Sequence, residues 1–72
     1  MFMYCCIAIE VEGRMRLITA TSEREAALAA EAVLRRHSSE VLSLGYAVEC
    51  ENRAAGERIA DYLADVAFEL TH

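Results

Sequence analysis

Residues 3–10 and 14–21 alternate between apolar and polar positions on either side of Gly13, the pattern of two half-buried strands joined as a hairpin. Two loop lengths compete. A two-residue Glu12-Gly13 loop sets Ile9 opposite Arg16 and Val11 opposite Arg14, which brings arginines onto the face of the largest aliphatic side chains. A three-residue loop, Val11-Glu12-Gly13 with Gly13 left-handed in a bulge, pairs Glu10 with Arg14, Ile9 with Met15 and Ile7 with Leu17. The second register is the expected one. It places Met3, Cys5, Ile7, Ile9, Met15 and Leu17 on the core face, and Tyr4, Cys6, Ala8, Glu10, Arg14, Arg16, Ile18 and Ala20 on the other.

The pattern then changes period. Ser22 followed by Glu25 is a capping-box start, and Glu23 adds a charge that suits the helix dipole. The spacing predicts a helix over residues 23–37 that buries Ala26, Ala30, Val33, Leu34 and His37, with Glu31, Arg35 and Arg36 outside. His37 reads as an end-stop for the last carbonyls, and Ser38-Ser39 as the turn. Residues 41–50 alternate again, with Leu42, Leu44, Tyr46, Val48 and Cys50 toward the core and Ser43, Gly45, Ala47 and Glu49 away from it. Asn52 is the expected cap of a last helix over 53–70, in which Ala55, Ile59, Tyr62, Leu63, Val66 and Leu70 follow the helical period.

The element order ββαβα implies an α+β two-layer sandwich: a three-stranded antiparallel sheet of order 2-1-3 with both helices on one face. The uncovered sheet face would carry Tyr4, Cys6, Ala8, Ile18, Ala20, Ser43, Gly45 and Ala47, ringed by Glu10, Arg14, Arg16 and Glu49. Such a smooth face suits a partner or a second copy of the chain, with Tyr4, Cys6, Ala8 and Ile18 at the contact.

At 72 residues the chain is a single domain, 1–72. Domains of that size bury only about 60% of the surface of the unfolded chain, so a homodimer is expected. The 12 acidic residues outnumber 7 arginines, and there is no lysine. The resulting charge of −5 excludes non-specific attraction to nucleic acid or to an anionic membrane and favours a basic partner. The first nine residues lack a basic leader and continue into the hairpin alternation, so no secretory signal is expected. Three cysteines at 5, 6 and 50 fit no zinc or redox spacing and read as free thiols of a cytoplasmic protein. A bond from the first strand to Cys50 would require the third strand to lie beside the first. No metal, cofactor, phosphate loop or paired nucleophile and base is legible, so an enzyme is not expected.

The run TATSEREAALAAEAVL, a strand ending at a Thr/Ser cap and feeding a Glu- and Ala-rich helix, resembles small phage and mobile-element proteins. Among these are anti-CRISPR proteins and the hairpin-helix half of some antitoxins. The resemblance spans residues 5–34. It implies an inhibitor acting in a host cytoplasm by blocking a basic, nucleic-acid-binding surface of a larger protein or ribonucleoprotein. An antitoxin-like or structural homodimer using the open sheet face is the alternative.

Either function needs a contact surface. Glu57, Asp61, Asp65 and Glu69 recur at four-residue steps along the last helix and form an acidic ridge about 18 Å long. DNA presents a charge on each strand about every 3.4 Å, so the ridge is too sparse to imitate a duplex. It reads either as an acidic protein contact or as a solvated face. A contact would also need an apolar anchor, for which Tyr4, Tyr46 and Phe68 are candidates. Phe68 stands off the main stripe beside Glu69, though it could instead widen that stripe.

Overall fold

The hairpin turns on Glu12 and Gly13 alone, both left-handed at φ 54° and 77°. Two successive residues of positive φ form the two-residue turn whose twist matches that of the flanking strands. The computed structural model describes residues 5–39 and 44–72. In it β1 (Cys5–Val11) and β2 (Arg14–Ala20) precede α1 (Glu23–Arg36), β3 (Gly45–Cys50) and α2 (Arg53–Leu70). The sheet is antiparallel in the order β2-β1-β3, with both helices against one face, as the order of elements implied.

The hairpin register differs from the expected one. Ile9 stands opposite Arg16, Val11 opposite Arg14 and Ile7 opposite Ile18. One step of slip moves every β2 side chain to the other side of the sheet. Ile18 and Ala20 therefore belong to the covered face, where both pack against the core, and Ile18 is not part of the open face. Met15 and Leu17 leave the core and stand 61% and 68% exposed. The short loop is tolerated because the helices do not cover the whole of β2. They cover only its end: Arg14 and Arg16 are exposed at the uncovered start of an edge strand, where a long side chain keeps its head in water at little cost.

The covered face is built around β1. Cys5, Ile7, Ile9 and Val11 are all buried, joined by Ala26, Ala30 and Leu34 of α1 and by Ile59, Leu63 and Val66 of α2. Each fully buried aliphatic side chain contributes about 1.5–3 kcal/mol of transfer free energy. The alanines let the α1 axis come close to the strands. Its start is secured by the Ser22 hydroxyl, which accepts from the Glu25 amide at 3.1 Å, and Arg35 and Arg36 occupy the last turn, favourably for the dipole. His37 is the C-cap, its backbone N–H donating to the Val33 and Leu34 carbonyls.

On the far side of β1, Ile7 faces Val48, Ile9 faces Tyr46 and Cys5 faces Cys50, so the alternation read along the third strand holds for its described residues. Expectations placed on Met3, Tyr4, Val41, Leu42 and Ser43 lie outside the described residues. The Asn52 side chain accepts from the Ala54 and Ala55 amides at 2.9 and 3.3 Å and starts α2 where the sequence predicts. Ala55, Ile59, Leu63 and Val66 face the core, whereas Tyr62, expected on that stripe, is 39% exposed.

Candidate interaction surface

A helix advances about 100° per residue, so a side chain stepping every four residues drifts about 40° per step. Measured from the buried stripe, Glu57 of α2 starts almost opposite the core, and Asp61, Asp65 and Glu69 wind progressively toward α1. All four are exposed. At the two ends the ridge is answered by arginine. Glu57 lies 3.4 Å from Arg53, and Glu69 lies 3.7 Å from Arg35. Both pairs are largely solvated and so contribute little to stability. Asp61 and Asp65, in the middle, have no hydrogen-bond or ion-pair partner among the described residues.

Phe68 belongs to this surface. It lies three residues after Asp65 and seven after Asp61, hence on their side of the helix, and is 64% exposed. The expectation that it might widen the buried stripe does not hold. Its ring stacks on that of His72 with centroids 4.0 Å apart and planes 20° from parallel. A His72 ring nitrogen is 2.9 Å from the Phe68 carbonyl oxygen, to which it donates as N–H, while the Thr71 hydroxyl closes on the Ala67 and Phe68 carbonyls. These bonds satisfy the end of α2 and hold the aromatic pair outward. Of the other anchors, Tyr46 is 36% exposed on the covered side of β3, and Tyr4 lies outside the described residues.

Between the helices the charges are matched. Arg58 donates to both carboxylate oxygens of Glu23, at 2.8 and 2.9 Å, and these bonds hold the Glu23 carboxyl below its ordinary range. Glu31 accepts from the Tyr62 hydroxyl and, at 2.7 Å, from Arg35 Nε. The tyrosine bond, then the arginine, lower the Glu31 pKa, and the same carboxylate raises that of Tyr62. Glu31 was expected outside and Tyr62 inside, and they meet at the margin. The four-residue step from Glu31 to Arg35 was visible in the sequence; the approach of Tyr62 depends on how α2 is rotated against α1.

The open sheet face is ordered in rows by the register. Leu17, Ala8 and Ala47 form one, Met15, Glu10 and Gly45 the next, and Thr19, Cys6 and Glu49 a third. Of the four residues expected at this contact, Cys6 and Ala8 are here and half-buried, Ile18 is on the other side, and Tyr4 lies outside the described residues. Sequence reasoning missed Met15 and Leu17, because a one-residue difference in loop length decides where they point.

Chemically, Glu23 and Arg58, which line the cleft between the helices, are engaged with each other rather than aimed at a shared empty point. Among the described residues no group of three or more His, Cys, Asp or Glu side chains is placed to hold a metal ion. No helix of the described residues is long and apolar enough to cross a membrane. No protein-family model matches the chain, and neither a curated protein nor a solved structure gives a match.

Proposed function

We propose that this chain is a non-enzymatic acidic binding protein that uses the outer surface of α2 to occupy and block a basic site on a larger protein or ribonucleoprotein. The observation that carries the reading is Phe68, an outward aromatic side chain on the same side of the helix as the unpaired Asp61 and Asp65. Charges at a rim mainly set the association rate and its salt dependence, and a central aromatic supplies the hold. The two together make a usable contact. The net charge of −5 adds long-range attraction toward the same kind of partner. Inhibition of the anti-CRISPR type fits this surface, as the resemblance of the hairpin and first helix implies.

A photo-crosslinking residue at position 68, compared with one at position 17, tests the reading in lysate of the native host. The expected result is a protein captured from position 68 alone. Its association with the purified parent chain should be several-fold slower after Asp61→Asn/Asp65→Asn at low salt, with the difference lost at high salt. Capture from position 17 alone, with rates indifferent to both substitutions, would overturn it.

That outcome would favour a second reading, supported by the exposure of Met15 and Leu17: a homodimer or antitoxin-like module joined through the open sheet face. Glu10 and Glu49 lie on that face, so two copies stacked there would bring acids together, which weighs against it. Sedimentation of the parent chain and of Leu17→Glu distinguishes the two. A dimer dissociated by that substitution would establish the second reading.

A further inference from the structure

We infer that Cys5 and Cys50 form a disulfide that fastens β1 to β3, with a low-molecular-weight disulfide such as oxidised glutathione as the oxidant. The two residues are directly opposed in the β1–β3 ladder. Opposed residues of antiparallel strands point to the same side of the sheet with Cα atoms about 4.5–5.5 Å apart. Disulfides span Cα separations of about 4.4–6.8 Å, so the two residues are within reach of a bond that draws their Cβ atoms slightly together. The two thiols are near enough to perturb each other electrostatically. Cys6 is no rival, since it faces Glu49 and belongs to the open side of the sheet.

Access distinguishes the two sulfurs. Cys5 is fully buried, whereas Cys50 is half-buried and borders an open cleft between β3 and α2 beside Glu49, Arg53 and Gly56. A Cβ on Gly56 would lie 3.9 Å from the Cys50 sulfur, so the missing side chain leaves that sulfur approachable. Cys50 therefore reacts first. Its thiolate attacks one sulfur of the glutathione disulfide, whose S–S bond breaks, and one glutathione thiolate leaves and takes up the proton that Cys50 lost. The Cys5 sulfur then attacks the Cys50 sulfur of the mixed disulfide and expels the second glutathione, which takes the Cys5 proton. Two electrons pass from the cysteine pair to glutathione, and two glutathione thiols are released. Burial, followed by the neighbouring Cys5 thiol, pushes the Cys50 thiol up to about 12, so thiolate is scarce in the folded chain at neutral pH. In the folded chain the exchange is consequently slow at neutral pH and faster in alkali.

The test is to refold the reduced chain in a mixture of oxidised and reduced glutathione, using the parent and Cys6→Ser. Both should lose the mass of two hydrogens and yield one tryptic species joining residues 1–14 to 37–53. The closed loop is about 45 residues long, so the melting temperature should rise by roughly 20 °C, and a reductant should reverse the rise. Cys50→Ala should show none of this. The inference is overturned if glutathione stays on Cys50, if the link disappears in Cys6→Ser, if only intermolecular disulfides form, or if the bond leaves the melting temperature unchanged.

Discussion

Consecutive residues of β1 have opposite fates. Ile7 and Ile9 are sealed under both helices, while Ala8 between them shares its row with Leu17, one of the most exposed aliphatic side chains of the molecule. Both faces carry apolar residues, so composition alone does not tell them apart. What does is the layer on top. The covered face has a continuous set of partners from α1 and α2; among the described residues the open face has only its own cross-strand neighbours, with Glu10 and Glu49 among them. An apolar residue here is structural when another element reaches it, and otherwise remains available for contact.

The largest expected effect tests that contrast directly. Ile7→Ala should lower the unfolding free energy by about 2–5 kcal/mol, because it opens a cavity under the helices. Leu17→Ala should stay within about 0.5 kcal/mol, as a surface change does. Urea denaturation of the two variants measures both, and equal losses would mean that the two faces are equally buried in solution.

A smaller effect probes the turn that decides which β2 residues go to which face. A Cβ at Gly13 would meet nothing within 4 Å, so Gly13→Ala isolates the backbone cost of a left-handed residue. That cost should be about 1–2 kcal/mol by the same measurement, and more for the β-branched Gly13→Val. A three-residue bulge would also suffer at Gly13, so the register itself is read from NMR contacts, which should join Ile9 to Arg16 rather than to Met15.

Smaller again is the hold between the helices that cover the core. Glu31 has a depressed pKa from an ordinary 4.5, so its contribution is fully present above that value and fades as acid protonates it. Tyr62 has a raised pKa from an ordinary 10.0, so its contribution is present below that value and lost as the pH climbs through its folded pKa. Their mutual bond therefore stabilises between the two titrations. Tyr62→Phe should melt below the parent at pH 7, and the gap should close on acidification below the carboxylate range and narrow again in alkali. A gap that persists in acid would assign the effect to packing.

The smallest change should be a gain. Glu12 is the one described non-glycine residue with positive φ, and asparagine tolerates that region better. Glu12→Asn should stabilise the hairpin by about 0.5 kcal/mol, visible as a small upward shift in melting temperature.

Much of the architecture was legible in the chain because it is written locally. Ser22 and Asn52 mark the helix starts through bonds to amides two or three residues away, and the alternation along β1 and β3 needs only a period of two. The hairpin register was not legible. It turned on whether arginines could face the helix side, and that depended on how far α1 and α2 extend over an edge strand. The acidic ridge could be counted from spacing, but the outward position of Phe68 depends on how α2 is rotated on the sheet. Likewise the strand order already allowed a bond to Cys50, but only the register of the β1–β3 pair sets Cys5 directly opposite it.

The central place of β1 has a consequence for synthesis. β1 precedes β3 in the chain by more than thirty residues, so a ribosome releases the hairpin and α1 while one side of β1 still lacks its neighbour. Along that side Cys6, Ala8 and Glu10 present unpaired backbone groups, with the apolar side chains of Ile7 and Ile9 between them, a template for any other extended segment nearby. The nascent chain is thus most vulnerable to mispairing in the interval before β3 emerges. A pause that holds β3 inside the ribosome after the hairpin has emerged should increase aggregation more than an equal pause after β3 is out.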